Sequence, residues 1–304
     1  MTAPEPLTGL IIRSQSGFFF VLSPDSDTPV TCQLRGRLKQ GRHETDLAAI
    51  GDRVAYTLLP DGSGSIEAIL PRTSEIVRLD PRPQGEYRQI LLANPDQAIF
   101  VFACAHPEPK LRMLDRFLVI AEKQNVPAII VANKVDLSGL SAAQERFGNY
   151  PDLGYRVIYT SAATGLGLDE LRATLTGKLS ALAGPSGVGK SSLLNALQPG
   201  LGIAVGEVSN FMKKGTHTTN FRQLHAITGG GWVADAPGWK SLALWDTAPE
   251  EIDAYFPELR NLVAACQFSD CTHTHEPDCA VLQAVNAGTV RPERYESFLR
   301  LRDE

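Results

Sequence analysis

The chain has 304 residues, 43% apolar and 21% charged, with a formal net charge of −5. This composition excludes a disordered chain and a uniformly basic nucleic-acid coat, although a local basic face can still act against the global average. No run approaches ~18 consecutive apolar residues, and the opening Met-Thr-Ala-Pro-Glu-Pro has neither a basic nor an apolar leader segment, so a cytoplasmic chain without membrane contact is expected.

Residues 1–75 read as short strands at 9–13, 17–22, 30–34, 52–59 and 64–70, separated by turn residues. Five short strands in so little chain predict an all-β, OB-fold-like barrel, with an SH3-like barrel as the runner-up. Between the third and fourth strands, Arg35, Arg37, Lys39 and Arg42 lie in a stretch without an acid. OB barrels bind nucleic acid through loops and faces, which makes this loop a candidate RNA contact. Residues 76–93, with prolines at 81 and 83 and mixed charge, read as a connector rather than a packed element.

From residue 94 the pattern changes to alternating strands and helices, and 94–245 is expected to be an α/β domain with a parallel sheet. Strands are predicted at 97–103, 127–132 and 156–160, a helix at 111–124, and a largely helical stretch over 167–182. The segment 179–183 (Leu-Ser-Ala-Leu-Ala) also reads as a strand, with little β-branched character. It leads into Gly184, Pro185, Ser186, Gly187, Val188, Gly189, Lys190, Ser191 and Ser192, which fit G-x-x-x-x-G-K-[ST]. Glycines let consecutive backbone N–H groups turn inward around a phosphate, Lys190 can reach the terminal phosphates, and Ser191 offers a hydroxyl to Mg²⁺. An apolar helix follows, with its positive end toward the same phosphates.

Upstream, Asn133, Lys134, Val135 and Asp136 stand at the end of the 127–132 strand, where an open α/β sheet presents its ligand edge. Asn-Lys-x-Asp resembles the base-reading motif of GTPases, because the Asp136 carboxylate can accept both the ring N–H and the exocyclic amine of guanine. Ser161 and Ala162 follow the next strand, like the element that supports guanine from its other edge. Downstream, Gly215-Thr-His217-Thr218-Thr219 and Asp235-Ala-Pro-Gly238 resemble the two switch segments. There Asp235 would hold the magnesium's water shell and the Gly238 N–H would sense the γ-phosphate. The base-reading residues precede the phosphate loop, the reverse of the usual order, so the domain reads as circularly permuted. The residue after Gly238 is Trp239, where Ras-like GTPases place a water-orienting glutamine. His217 is then the nearest candidate to position the attacking water.

In 246–304 the chain shows Cys266, Cys271, His273 and Cys279 in Cys-x4-Cys-x-His-x5-Cys spacing, then a helix at 292–302. Three thiolates and an imidazole make a closed, structural Zn²⁺ site, in which His275 is an alternative ligand by spacing. A small, mainly helical zinc-binding domain is expected. Cys32 and Cys104 lie in apolar runs and read as inert fillers.

Taken together, the barrel, the permuted motifs and the zinc spacing resemble the ribosome small-subunit-dependent GTPase A family (RsgA, also called YjeQ) over essentially the whole chain. The resemblance implies a multidomain GTP hydrolase that uses GTP/GDP and Mg²⁺, carries one structural zinc, binds the small ribosomal subunit and its rRNA late in maturation, and is stimulated by it. A monomer is expected. The chain departs from the family at Asn220, where a third threonine is frequent, and at Ala236, where serine is. Thr218 and Thr219 both remain candidates for the magnesium shell. A small-molecule kinase and an RNA-binding module with a non-catalytic nucleotide site are the competing functions. Measured GTP-over-ATP selectivity would separate the kinase from a GTPase, and detectable multiple turnover would eliminate the non-catalytic module.

Overall fold

The computed structural model describes residues 6–39, 44–82, 85–201, 223–235 and 247–304. β1 (Leu7–Gln15), β2 (Phe18–Leu22), β3 (Val30–Leu34), β4 (Arg53–Leu58) and β5 (Gly64–Ile69) form a closed barrel in the order β1-β2-β3-β5-β4. β3 and β5 run parallel and the other neighbours antiparallel. Side chains alternate in and out along each strand, so Ile11, Phe19, Val21, Cys32, Val54, Tyr56 and Ile66 fill the interior while their neighbours face out. This is the OB-like barrel that the strand count predicted.

Residues 76–93 correct the sequence reading. They belong to an antiparallel ribbon, β6 (Glu75–Arg82) with β7 (Gly85–Ala93), rather than an irregular connector. The base of the ribbon is buried on both faces, with Ile76, Leu91 and Leu92 in the main core and Val77 and Ile90 in a smaller cluster with Ala49. Pro81 is tolerated because it pairs near the tip, where no further strand needs its missing N–H.

The central sheet runs β10 (Arg156–Tyr159), β9 (Ala128–Asn133), β8 (Gln97–Ala103), β11 (Leu179–Ala183), β13 (Trp232–Asp235), β12 (Leu224–Ala226). All neighbours are parallel except the edge strand β12. Every residue of β8 is buried, because helices cover both sheet faces. Phe100 and Phe102 pack with Phe117 of α1 (Leu111–Lys123) and Phe147 of α3 (Leu140–Phe147). Ile99 and Val101 pack with Leu171 of α4 (Leu168–Leu175) and Leu193 of α5 (Lys190–Leu197). The stretch 167–182 is therefore helical only to Leu175 and then turns into β11. That strand forms despite weak β propensity because its position between β8 and β13 decides it. Small side chains suit the crowded site, and Ser180 is satisfied by the Gln97 amide at 2.9 Å.

The carboxy-terminal part holds the short helices α6 (Pro257–Arg260), α7 (Ala280–Asn286) and α8 (Pro292–Arg302) around Ile252, Phe256, Leu259, Val281, Phe298 and Leu301. Val119 of α1 belongs to the same core, which docks this part on the central domain. At that junction Asp115 of α1 is buried, and accepts from Arg294 Nη1 at 2.6 Å, Ser297 Oγ at 2.5 Å and Tyr150 OH at 2.9 Å. Arg294 also forks onto Glu258 at 2.6 and 3.1 Å. Among the described residues, no helix is long and apolar enough to cross a membrane.

The barrel joins the ribbon through a second buried acid. Asp52, fully buried, takes Arg72 Nε at 2.7 Å, Arg72 Nη2 at 2.8 Å and the Ala49 N–H at 2.7 Å. Asp52→Ala leaves the Ala49 amide unpaired and a mostly buried guanidinium with only its longer contacts to the Asp46 and Leu47 carbonyls and to Glu75, and we predict a loss of about 3 kcal/mol. Adding Arg72→Met should recover most of it. Urea titrations of both variants check this, and equal losses in the single and double variants would contradict it.

Candidate active site and metal centre

The phosphate loop starts where β11 leaves the sheet. At Gly184 an added Cβ would lie 2.1 Å from the Val101 carbonyl oxygen, so only glycine lets the chain pass β8 so closely. Gly189, at φ +95°, precedes α5, and a Cβ there would sit 2.5 Å from Asn133 Nδ2. Lys190 and Ser191 are buried in the first turn of α5. The Lys190 ammonium donates to the carbonyls of Gly184 at 2.9 Å and Pro185 at 3.1 Å, so it is held over the loop between Gly184 and the helix start. Gly187 and Ser186 are exposed at the loop's crest, Val188 is buried beneath it, and Ser192 continues the helix.

The Asn-Lys-x-Asp residues meet this loop directly. Asn133 ends β9 and donates Nδ2–H to the Val188 carbonyl at 2.8 Å, while its Oδ1 accepts from Thr160 Oγ1 at 3.1 Å. Lys134, in the left-handed region at φ +64°, donates to the Gly187 carbonyl at 2.6 Å and to the His106 carbonyl. Val135 opens α2 (Val135–Ser138), and its N–H reaches the Thr160 carbonyl at 3.1 Å. Asp136 is exposed, with Oδ1 accepting from the buried Ser161 hydroxyl at 2.5 Å. Ser161 in turn accepts the Thr164 N–H at 3.2 Å, and Ala162 packs against the sheet core beside it. The carboxylate is thus aimed by one hydrogen bond and open at its other oxygen, an arrangement suited to accepting two N–H donors of a base.

Asp235 ends β13, where its backbone pairs in register with Leu182, one strand from the loop's start. His217, Thr218, Thr219, Gly238 and Trp239 lie outside the described residues. The motif match anticipates the loop and the base-reading strand, but not the Asn133 and Lys134 bonds to loop carbonyls, since pairings between residues 133–134 and 187–188 leave no local pattern. Cys104 and Cys32 are buried thiols, each pushed up to about 11 chiefly by burial, as inert fillers should be.

In the carboxy-terminal part, one ligand atom each from Cys266, Cys271, His273 and Cys279 lies within 4.8 Å of all the others. His273 Nδ1 is 3.6 Å from Cys266 Sγ and 3.4 Å from Cys279 Sγ, and the two sulfurs are 3.9 Å apart. Zinc bonds of about 2.3 Å to sulfur and about 2.0 Å to nitrogen, at tetrahedral angles, place ligand atoms roughly 3.5–3.8 Å apart, so the cluster is compatible with one zinc ion. His275 is exposed and bonds Thr274, outside the cluster. Sequence spacing missed Asp253, whose Oδ2 lies 3.1 Å from His273 Nε2. That carboxylate would fix the ring with Nδ1 toward a metal.

Residues 69–245 match the family described as RsgA GTPase, and residues 8–66 match the RsgA N-terminal domain. The chain belongs to the RsgA GTPase family. A relative from Gemmatimonas aurantiaca, named small ribosomal subunit biogenesis GTPase RsgA, is 45% identical over 302 residues, covering 98% of this chain and 97% of its own. One of the same name from Moorella thermoacetica is 43% identical over 298 residues, covering 96% and 95%. The crystal structure of YjeQ from Thermotoga maritima superposes with TM-score 0.78 at 36% identity, over 98% of this chain and 97% of that one. That of YloQ, described as a circularly permuted GTPase, gives 0.74 at 33%, over 98% and 94%. The family's permutation agrees with the sheet seen here, in which the base-reading strand β9 precedes the phosphate-loop strand β11 in sequence.

Two expected outcomes follow from these sites. Asp136→Asn keeps an acceptor for Ser161 but loses the charged partner of guanine, and should weaken GTP binding by about 10²-fold while tolerating XTP relatively better. Competition binding with GTP, ATP and XTP decides it, and an unchanged preference for GTP would remove Asp136 from the base pocket. Asp253→Ala should lower zinc affinity by about 10–100-fold, read by chelator titration and metal analysis. Retention of wild-type affinity would show that the carboxylate does not orient His273.

Proposed function

We propose that this chain hydrolyses GTP to GDP and phosphate in the cytoplasm, as a switch that acts on the small ribosomal subunit late in its maturation. The observation that carries this reading is the Asn133 bond to Val188, which joins a guanine-type carboxylate loop to a phosphate loop, in a family whose curated relatives are named for small-subunit biogenesis. Asp136 and Ser161 make the small-molecule kinase the weaker reading, because that carboxylate suits a base with two adjacent donors.

In this reading the N–H groups of residues 187–191 cradle the phosphates, and Lys190 exchanges its carbonyl partners for the terminal phosphate oxygens. Ser191, Asp235 and either Thr218 or Thr219 would hold Mg²⁺, all of them oxygen donors suited to a hard cation. The ion would offset charge developing on the transferred phosphoryl group. The Gly238 N–H reports the γ-phosphate, and His217 positions the attacking water, because the Trp239 indole is a donor only and cannot accept a bond from it. Intrinsic turnover is then slow and needs ordering of the switch by the rRNA-containing particle. The barrel supplies RNA contacts, and the zinc centre is structural because its four protein ligands leave no open position.

Multiple-turnover GTP hydrolysis with and without purified small subunits tests the reading. Wild-type turnover should rise steeply with subunits, and His217→Ala should lose most of that rise while GTP affinity stays within about twofold. Turnover indifferent to subunits would overturn the proposed partner. Full stimulation of the variant would remove His217 from the mechanism.

A further inference from the structure

Helix α8 faces two ways. Arg294, Ser297 and Leu301 recur at steps of three and four and are buried, and the first two bond the buried Asp115 of α1. Tyr295 and Arg302, seven residues and so about two turns apart, share a second face. The Tyr295 hydroxyl donates to the His273 carbonyl at 2.6 Å, and Arg302 Nη1 donates to the Thr272 carbonyl. Phe298 lies between these faces, its ring centroid 6.0 Å from that of His273, in the same core as Cys279 and Val119 of α1. The ligand loop is shaped for such support. Glu276 takes the N–H groups of Thr272, Thr274 and His275 at 2.8, 2.9 and 3.1 Å, while the carbonyls of 272 and 273 face donors from α8. His273 is in the left-handed region at φ +59°, which a residue with a Cβ keeps only where its surroundings fix it. On α1, Arg112, Asp115, Arg116 and Val119 form one face, and the two arginines pair with Glu296 and Glu304.

We propose that α8 couples metal binding to the docking of the carboxy-terminal part on α1, so that the metal fastens the two parts together and docking in turn raises metal affinity. The proposal rests on the zinc reading of the four-ligand cluster and adds to it a role outside the ligand loop. With the four ligand atoms drawn together, the carbonyls of Thr272 and His273 stand where Tyr295 and Arg302 reach them, and α8 is held in one position. That position is the one the Asp115 carboxylate needs, because a buried ion pair is favourable only when its geometry is closely matched. A displaced α8 would lose the carbonyls on one side and leave Asp115 and Arg294 buried without each other on the other side. By linkage, the factor by which docking strengthens metal binding equals the factor by which the metal strengthens docking.

The test uses the full-length chain with Zn²⁺ alone as ligand and two readouts, zinc affinity by competition with a chromophoric chelator and amide hydrogen exchange across α1. Stripping the zinc from wild type should speed exchange in residues 111–123 by about tenfold or more, while β8 beneath them keeps its protection. Asp115→Asn keeps the side chain's shape and lies on α1 rather than in the metal cluster, yet it should weaken zinc binding by about tenfold. Tyr295→Phe leaves the ring packed on Phe298 and removes only the hydroxyl, and it should both weaken zinc binding and loosen α1, each by about threefold or more. Wild-type zinc affinity in a folded Asp115→Asn, or α1 exchange that ignores zinc, would overturn the coupling. Should Asp115→Asn fail to fold, Tyr295→Phe decides, and unaltered zinc affinity or unaltered α1 exchange there overturns it. Metal analysis of the same preparations separates the failures. Wild type without stoichiometric zinc defeats the zinc reading itself, whereas stoichiometric zinc with α1 exchange indifferent to it defeats only the coupling.

Discussion

One side-chain amide holds the nucleotide site together. Asn133 donates to the Val188 carbonyl in the phosphate loop and accepts from Thr160 at the end of the next strand, so three chain segments meet through a single residue that is 1% exposed. In so dry a place an unmet amide is costly, and replacing Asn133 would strand both the Val188 carbonyl and the Thr160 hydroxyl. Lys134 repeats the arrangement one residue later by reaching the Gly187 carbonyl. The Asn-Lys-x-Asp loop and the glycine-rich loop before α5 are therefore braced against each other, whatever order the chain visits them in.

That bracing explains how permutation is tolerated. A parallel sheet presents its ligand edge at the carboxy ends of its strands, and β9, β11 and β13 all end there whichever of them comes first. What permutation changes is the exit. The next described residues after Asp235, from residue 247 on, belong to the carboxy-terminal part. This part is itself pinned to α1 by Asp115, Arg294, Glu258 and Ser297. Desolvation works against the Arg294 charge, but Asp115 and Glu258 more than offset it and hold its pKa above the ordinary arginine value. Burial, with the Asp115 carboxylate beside it, pushes the Tyr150 hydroxyl pKa well upward. Breaking one member of such a group is far more costly than never having had it, so the pin favours a fixed attachment between the zinc part and α1.

The cluster of three cysteines and His273 shows a related division of labour. Cys266, Cys271, His273 and Cys279 converge in a segment with little apolar content, while Asp253 and the Tyr295 hydroxyl, which donates to the His273 carbonyl at 2.6 Å, set the histidine from outside the cluster. These supporting groups come from elements before and after the cysteines.

Local chemistry made much of this legible in advance. A phosphate loop needs glycines and Lys190 at fixed offsets, a guanine pocket needs Asp136 beside a strand end, and a closed zinc site needs four ligands at short spacing, so each is written within a dozen or so residues. The five barrel strands were legible for the same reason, since period-two alternation is local. The ribbon 75–93 was not, because its prolines and charges read as a loop until Ile76, Val77 and Ile90 are seen to bury against the barrel and sheet. The extent of β11 was settled by its neighbours β8 and β13 rather than by its own weak propensity. Nor could spacing choose between His273 and His275, a choice made by which ring the fold carries to the thiols and to Asp253. The sequence by itself determined the chemical parts and their order along the chain. Tertiary structure alone decided which distant partners complete them, because a hydrogen bond such as Asn133 to Val188 or Asp115 to Arg294 depends on closeness in space, which no local pattern encodes.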